Sequence, residues 1–191
     1  MIEISFNGRG GQGVVIASQI LGTAFFKAGY YPQCYSVFGG ERRGAPLASF
    51  LRVDNQKILL KCEIKHPNEL LCFDDSLFDP QEVRAQLLPG GSILINTRKG
   101  PEVFSDLARD FKVGIIDGLA VSHNVGLGGF FNTIMVGAYG AFTGNIGLDP
   151  IVEAVMEMAP VKPELNADGS RAAFEGVTIV EPTNPTGGAH G

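Results

Sequence analysis

The stretch that decides the fold is "FNGRGGQGVVIAS", residues 6–18, in which Gly8, Gly10 and Gly13 follow the spacing G-x-G-x-x-G and Gly11 adds a further glycine. The preceding residues, "IEISFN" (2–7), alternate apolar and polar side chains, which predicts a first β-strand. The residues that follow place apolar and small side chains at three- and four-residue steps up to Gly29, which predicts a helix ending at that glycine. Strand, glycine turn and helix in this order predict an α/β unit whose helix N-terminus is suited to an anion.

The same spacing is the fingerprint of a dinucleotide site, so this possibility needs a second test. A dinucleotide fold also places an acidic residue about 20 positions further on, at the end of the second strand, to bind the ribose. The corresponding residues, "YYPQCYSVFG" (30–39), contain no Asp or Glu, and the first acid is Glu41. NAD or FAD binding is therefore disfavoured. A free-standing Rossmann-type NAD(P)-binding oxidoreductase and a ligand-free α/β scaffold remain as alternatives.

Strand and helix patterns alternate along the rest of the chain, which predicts an α/β fold with a mostly parallel sheet and helices on both faces. We expect a Rossmann-like single domain, with the first two of the further strands at one edge of the sheet. The further strands are predicted at residues 31–37, 47–53, 70–73, 93–96 and 113–116. The further helices are predicted after Asp79 and Pro80, around "PEVFSDLARD" (101–110), at about 130–142, and over "LDPIVEAVMEM" (148–158) with Asp149 as the N-cap.

The composition changes after Pro160, where Pro, Gly, Asn and Thr become frequent. We therefore predict a domain over residues 1–160 and a C-terminal arm or tail over residues 161–191, with one helix near "NADGSRAAFEG" (166–176). Such a segment cannot bury a core of its own, and we expect it to pack on partner subunits.

Charge and cysteine content exclude several classes of protein. The formal net charge is −5 and no basic cluster exceeds two residues, which excludes nucleic-acid and membrane-surface binding. The three cysteines fit neither a disulfide framework nor a metal or cluster site, so we expect reduced thiols and no metal. "MIEISF" (1–6) lacks the features of an export signal, and we expect a cytoplasmic protein. The uncharged stretch between His123 and Asp149 is broken by glycines and predicts a buried or subunit-facing helix rather than a membrane span.

A second loop, "FGGERRGAP" (38–46), places Glu41, Arg42 and Arg43 between glycines. Adjacent arginines on such a loop suit bidentate recognition of a carboxylate or phosphate. The loop could anchor another subunit or contact a ligand, and a solvated charge pair without a target is the remaining alternative.

Together, "GRGGQGVV" (8–15) and "FGGERRGAPLASFLRV" (38–53) closely resemble the gamma subunit (domain III) of the 2-oxoacid:ferredoxin oxidoreductases, the pyruvate synthase family. Two separate motifs in the same order make this resemblance specific. It extends more weakly through "NTIMVGAYGAFTG" (132–144) and "AFEG" (173–176). Gly40 stands where a proline is common in the family.

The resemblance implies a complex that oxidatively decarboxylates a 2-oxoacid with coenzyme A, giving acyl-CoA, CO2 and reduced ferredoxin. It implies thiamine-binding alpha and beta subunits holding thiamine diphosphate with Mg2+, and a ferredoxin-like delta subunit holding [4Fe-4S] clusters. This chain would hold no cofactor alone and supply no catalytic residue. Its site would consist of CoA-proximal or subunit-docking residues, namely Gly8, Arg9, Gly10, Gly11, Gln12, Gly13, Glu41, Arg42 and Arg43.

Four other polar residues are given structural roles. His66 precedes a proline and His123 lies in a polar turn, so neither is expected to be catalytic. Asp74 and Asp75 end a predicted strand, where a site of an α/β protein could lie, but helix capping is the simpler interpretation. The motifs do not distinguish pyruvate, branched-chain, aromatic and phenylglyoxylate-type enzymes.

Overall fold

The computed structural model describes residues 1–38 and 44–182. In this part of the chain, strands and helices follow one another much as the periodicity predicts. The elements are β1 (Ile2–Arg9), α1 (Val14–Lys27), β2 (Tyr31–Phe38), β3 (Pro46–Asp54), β4 (Glu69–Cys72), α2 (Pro80–Gln86), β5 (Ser92–Asn96), β6 (Lys112–Ile116), α3 (Gly118–Asn124), α4 (Asn132–Thr143), α5 (Leu148–Met158), α6 (Pro163–Gly176) and β7 (Thr178–Val180).

The strands form one sheet in the order β2-β3-β1-β4-β5-β6-β7. The central strands β1, β4, β5 and β6 are parallel, whereas β2, β3 and β7 pair antiparallel with their neighbours. The predicted α/β class and mostly parallel sheet are confirmed, with antiparallel strands on both flanks. The first two further strands, β2 and β3, do lie together at one edge.

Helices cover both faces of the sheet, as predicted. On one face α1 and α4 contact the strands and α5 and α6 pack against these helices, burying Ile4, Phe6, Leu51 and Val53 of β1 and β3. On the other face α2 and two 3-10 turns (101–104 and 107–109) enclose a second core. This second core takes the side chains of Leu70, Cys72, Ile93, Ile95 and Val113. Residues of β4, β5 and β6 thus enter both cores, because successive side chains of a strand point to opposite faces.

The predicted end of α1 and the predicted start of α2 are confirmed, with Gly29 directly after Ala28, the C-cap of α1. At the end of α1, Gly29 has φ 89° and the N–H of Tyr30 donates to the carbonyl of Phe25 at 3.0 Å, which closes the last turn. At the start of α2, the Asp79 carboxylate accepts from the N–H of Gln81 at 2.8 Å, and Pro80 is the first helical residue.

Two local predictions are wrong. The N-cap of α5 is Gly147 in an extended conformation, and Asp149 lies in the first turn, where its charge still favours the helix dipole. The helix predicted over 101–110 is a pair of 3-10 turns, in which the N–H of Asp110 donates to the carbonyl of Leu107 at 3.1 Å. Buried side chains at positions 104, 107 and 111 suit either structure, so their spacing did not separate the two.

The domain continues past the boundary predicted at residue 160. Helix α6 packs on α4 and α5, and β7 pairs antiparallel with β6, so residues 163–180 belong to the fold. The small residues that suggested an arm allow close packing: a Cβ added to Gly169 of α6 would lie 3.0 Å from Cγ1 of Ile134 in α4. Residues 183–191 lie outside the described part. Packing of the C-terminal segment on partner subunits stays a prediction.

The uncharged stretch predicted as a buried helix is α4. Its residues from Thr133 to Gly140 are buried throughout. Across residues 1–38 and 44–182, no helix has the length and apolar character needed to cross a bilayer.

Candidate functional site at the strand switch point

The glycine turn lies where the strand order changes direction. From β1 the chain passes through α1 to β2, which lies toward one edge of the sheet. From β4 it passes through α2 to β5, which lies toward the opposite edge. β1 and β4 are parallel neighbours, so their last residues, Arg9 and Cys72, lie at the same end of the sheet, where the strand C-termini meet. Open α/β sheets bind ligands in the crevice formed at such a switch point.

The glycines of the turn meet different requirements. A Cβ on Gly8, which is still part of β1, would lie 2.6 Å from Cγ2 of Val14, so this glycine permits the first turn of α1 to approach the strand. Gly11 has φ 98°, and nothing lies within 4 Å of its Cβ position, so there the backbone conformation alone favours glycine. Gly13 is the N-cap of α1 with φ 75°, and its Cβ would lie 2.9 Å from the Asn132 side chain of α4.

Arg9 is held by three groups of the protein. Its Nε lies 3.0 Å from Oδ2 of Asp74, its Nη1 donates to the carbonyl of Gly44 at 3.2 Å, and its Nη2 donates to Oγ of Ser76 at 3.1 Å. Gln12 joins this network, because its Nε2 donates to Oδ2 of Asp74 at 3.1 Å and its Oε1 accepts from the N–H of Arg9 at 2.7 Å. The side chains of Arg9 and Gln12 therefore hold the turn against β4.

Asp74 is the acceptor at the centre of this network. Partial burial alone would raise the pKa of its carboxyl, but hydrogen bonds from Ser76, Gln12 and Arg9 together lower that pKa below its usual value. Asp74 also caps the 3-10 turn at residues 75–77 by accepting from the N–H of Ser76 at 3.0 Å, so the predicted capping role is confirmed. Its contact with the glycine turn was missed. The signal available in the sequence was a carboxylate at the end of a strand neighbouring β1.

The structure brings the two motifs of the sequence together at their ends. The N–H of Gly10 donates to the carbonyl of Ala45 at 3.0 Å, and the N–H of Gly44 donates to the carbonyl of Gly10 at 3.2 Å. The end of the second loop therefore lies directly against the glycine turn. Glu41, Arg42 and Arg43 lie outside the described residues.

A cavity of about 190 Å³ lies beside the glycine turn, at the N-terminal ends of α1, α4 and α6. Its wall is mainly apolar, with Ile16, Ile20 and Leu127, and none of the described residues that line it is acidic. None of the three helices has a side-chain hydrogen bond at its N-cap. Lys162, the N-cap of α6, borders the cavity and has φ 49°. The helix N-termini and the lysine at the border favour negative charge at this end of the cavity.

A model of the family described as pyruvate ferredoxin/flavodoxin oxidoreductase matches residues 3–179. The chain belongs to the pyruvate ferredoxin/flavodoxin oxidoreductase family. It is 38% identical over 184 residues to the common gamma subunit of the pyruvate/ketoisovalerate oxidoreductases of Thermococcus kodakarensis, covering 95% of this chain and 100% of that protein. It is also 38% identical over 175 residues to pyruvate synthase subunit PorC of Methanocaldococcus jannaschii, covering 91% of this chain and 96% of that subunit.

Solved structures agree with this family. The crystal structure of pyruvate oxidoreductase subunit PORC from Thermotoga maritima matches with a TM-score of 0.78 and 28% identity, covering 94% of this chain and 98% of that chain. A 2-oxoglutarate:ferredoxin oxidoreductase of Magnetococcus marinus shares the fold at a TM-score of 0.75 and 16% identity, and the match covers 96% of this chain and 32% of that longer chain. The resemblance predicted from the two motifs is confirmed. The chain is a gamma-type subunit of an oxidoreductase complex.

The strand order explains how this gamma-type subunit differs from a dinucleotide-binding protein. In a Rossmann fold the strand after the first helix lies next to β1, so that its terminal acid reaches the ribose. Here β3 is inserted antiparallel between β1 and β2, which moves the end of β2 one strand further from the glycine turn. Both the missing acid and this insertion oppose NAD(P) binding at the turn.

Other candidate residues make structural contacts. His66 Nδ1 lies 3.1 Å from the carbonyl of Gln86. Asp75 accepts from Oγ1 of Thr97 at 2.7 Å and lies 3.2 Å from Nζ of Lys99. Burial raises the pKa of the Cys72 thiol to about 12, which keeps it protonated and unreactive at neutral pH. In the part of the chain that the structure describes, no three His, Cys, Asp or Glu residues are arranged to hold a metal ion.

Proposed function

We propose that this chain is the gamma subunit of a cytoplasmic complex that oxidatively decarboxylates a 2-oxoacid with coenzyme A, giving acyl-CoA, CO2 and reduced ferredoxin. The support is that full-length relatives are named as gamma or PorC subunits of pyruvate and ketoisovalerate oxidoreductases. In this proposal the partners are thiamine-binding alpha and beta subunits and a ferredoxin-like delta subunit.

The proposal assigns the cofactors to those partners. Thiamine diphosphate with Mg2+ supplies the electron sink when bound in the complex, and [4Fe-4S] clusters carry the electrons away. The cysteines at positions 34, 62 and 72 are too few to supply the four thiolates of a cluster, and the described residues contain no other metal-ligand set. This chain would therefore bind and orient rather than catalyse.

Within the complex, we propose that the glycine turn and the adjoining cavity bind coenzyme A. The observation that carries this assignment is the N-terminus of α1, which has no side-chain cap and opens on a cavity with no acidic residue among its described lining residues. The first amides of a helix have no acceptor within it, so a phosphate placed there would receive their hydrogen bonds. The apolar wall around Ile16 would accept an uncharged part of the same ligand. The related Magnetococcus marinus enzyme was solved with coenzyme A and succinyl-CoA bound.

Arg9 and Gln12 take an indirect part in this proposal. Because their side chains are bound to Asp74 and Ser76, they shape the turn, and the phosphate would be held by backbone N–H groups and Lys162. Arg42 and Arg43 remain proposed contacts for either the ligand or another subunit, since Gly44 joins their loop to the turn.

A second candidate role for the same surface is docking of the thiamine-binding subunits. Ile16, Phe130 and Val161 border the cavity and are exposed, which is the composition of a surface covered by another protein. Both roles predict that the surface is essential in the complex, but they predict different defects.

The variant Ile16→Glu separates these roles. It places a carboxylate at the mouth of the cavity, on a side chain that is 37% exposed. If coenzyme A binds there, the assembled complex should show a KM for coenzyme A raised about tenfold or more, with the KM for the 2-oxoacid unchanged. If the surface docks a subunit, the complex should fail to assemble. An unchanged complex would contradict both roles and favour a ligand-free scaffold.

The matched control is Leu88→Glu, because Leu88 is 39% exposed and follows α2 on the opposite face of the sheet. It should leave assembly and both KM values unchanged. The overall reaction is tested with a panel of 2-oxoacids in the presence of coenzyme A and a viologen dye. If none of the 2-oxoacids in the panel leads to reduction of the dye, the proposed chemistry is contradicted.

A further inference from the structure

Strand β2 is the outermost strand at one edge of the sheet, on the side away from β7. It is eight residues long, and its register with β3 runs without a bulge from Tyr31 opposite Asp54 to Phe38 opposite Leu47. Among the described residues it pairs with no other strand. An edge strand of this length leaves a row of outward N–H and C=O groups, and another extended backbone can form hydrogen bonds with all of them.

The sequence of β2 lacks the charges that usually protect such an edge. No charged residue occurs between Lys27 and Glu41. Of the common protective devices only Pro32 is present, near the beginning of the strand. Tyr31 and Val37, at opposite ends of the strand, are 49% and 47% exposed. This edge is therefore long, straight, uncharged and partly apolar.

A groove accompanies β2 on each face of the sheet. On one face a groove of about 540 Å³ is bordered by Pro32 of the strand and by Phe26 and Met158. Phe26 is 66% exposed at the end of α1, and a Cβ added to Gly22 of that helix would lie 2.9 Å from Sγ of Cys34, so helix and strand approach closely there. Side chains of an added strand alternate between the two faces, so half of them would enter this mainly apolar groove.

The groove on the other face has charged side chains at its border. Its volume is about 390 Å³, and it is bordered by Gln33 and Tyr35 of β2 and by Lys61 and Glu63 of the following irregular segment. Arg52 lies at its base, with Nε 2.7 Å from Oε1 of Glu3. Cys34 borders both grooves. One side of the edge thus offers apolar contacts and the other offers hydrogen bonds and charges of both signs.

We propose that β2 is a docking edge for an extended segment of another subunit of the oxidoreductase complex, which adds an eighth strand to the sheet. The segment has alternating character, with apolar side chains directed to the Phe26 groove and polar or charged side chains directed to the Lys61 groove. The inference rests on the proposed assembly into a complex and does not depend on what binds at the glycine turn.

A second copy of this chain fits the edge less well. Two copies of β2 paired antiparallel about a two-fold axis would keep each residue on its own face of the joined sheet. The second copy would then direct the small side chains of Cys34 and Ser36 to the Phe26 groove and leave it unfilled, and its uncharged tyrosines would offer no charge to Lys61 and Glu63. A strand of different sequence, with the opposite alternation, satisfies both grooves.

The direct test is amide hydrogen exchange of residues 31–38, measured in the chain alone and in the purified complex. Strand addition should slow the outward-facing amides of β2 about tenfold or more on assembly. Equal exchange rates in the two samples would overturn the inference while leaving the proposed function intact. Protection that appears in the chain alone as its concentration rises would show a second copy at the edge and overturn the hetero-partner assignment.

A matched pair of variants supplies the second measurement. Phe26→Asp should weaken assembly about tenfold or more by native mass spectrometry, because it places a charge in the apolar groove. Val103→Asp changes a residue that is 55% exposed in the 3-10 turn (101–104) that contacts β7, and should leave assembly unchanged. Equal assembly of both variants would count against the docking edge. Failure of the unmodified chain to join any complex would overturn this inference together with the proposed function.

Discussion

Nε of Arg9 lies 3.0 Å from a carboxylate oxygen of Asp74, although the two residues are 65 positions apart in the sequence. The contact joins the ends of two neighbouring parallel strands and fixes the turn between β1 and α1 in one position. The turn of this gamma-type subunit is therefore held by a side chain that follows β4 as well as by its own glycines.

We expect Asp74→Ala to lower the free energy of unfolding by about 1–3 kcal/mol, because Arg9 and Gln12 both lose their shared acceptor. Asp74→Asn keeps an oxygen acceptor and should cost less. Urea unfolding at pH 7 measures both effects. The control is Asp168→Ala, which breaks an exposed pair with Arg171 and should change little. Equal losses from Asp74→Ala and Asp168→Ala would show that the network does not stabilise the turn.

The same carboxyl predicts a dependence on pH. Since its pKa in the folded chain is lowered from 3.8, its contribution to stability is present above that pH and is lost as the pH falls through the folded-state pKa. The difference in unfolding free energy between the unmodified chain and Asp74→Ala should therefore shrink below about pH 3.8. A difference that stays constant from pH 7 to pH 3 would contradict this assignment.

Glu69 predicts the opposite dependence at the other end of β4. Burial raises the pKa of its carboxyl, while hydrogen bonds from Tyr139 at 2.6 Å and Asn145 at 2.7 Å act against this increase. A raised folded-state pKa means that the protonated form favours the fold, and this contribution is lost as the pH rises above 4.5 through the folded-state pKa. Glu69→Gln should remove that loss. Unfolding curves between pH 4 and pH 7 that remain parallel for the two proteins would exclude this role.

Gly137→Ala should destabilise the chain by about 1–3 kcal/mol, because the added methyl group would overlap the backbone of Ser170 and force α4 and α6 apart. The control Gly176→Ala adds a methyl group at the end of α6, where nothing lies within 4 Å, and should be neutral or slightly stabilising. Thermal unfolding of both variants checks this prediction. Similar unfolding temperatures for the two would mean that the helices are not in close contact at Gly137.

Arg52 is 1% exposed, and its Nε lies 2.7 Å from Oε1 of Glu3. Glu3→Ala leaves this buried guanidinium without its carboxylate and should cost about 2 kcal/mol in unfolding free energy. Replacing both residues by apolar ones, as in Glu3→Leu with Arg52→Met, should cost less than Glu3→Ala alone. Urea unfolding of the two variants and the unmodified chain measures the comparison. A double variant less stable than Glu3→Ala would contradict the explanation by an unpaired buried charge.

Local features of the fold were predictable because they depend on neighbouring residues. Gly29 ends α1, Asp79 and Pro80 begin α2, and the alternation in "IEISFN" gives β1, all through interactions within a few positions. The family was also accessible, since two short motifs in fixed order are specific. Periodicity distinguishes a helix from a strand in this way without reference to the rest of the chain.

Long-range features were not predictable in the same way. Nothing in "PLASFLRVD" (46–54) indicates that β3 lies between β1 and β2, because strand order is decided by which faces can be buried together. The short strand β7 and the contact of Asp74 with Arg9 depend on residues more than 60 positions away. Composition suggested an arm after residue 160 because small residues that serve close packing resemble those of a flexible segment.

The position of β7 also determines when the sheet can be completed during synthesis. Among the described residues β7 is the last strand and the outer neighbour of β6, so a nascent chain shorter than about 180 residues exposes the backbone of β6 at an open edge. Open edges of this kind promote intermolecular strand pairing and aggregation. A premature stop before Thr178 would thus produce a chain that contains the whole glycine turn yet is prone to aggregate. Solubility of the chain therefore depends on β7.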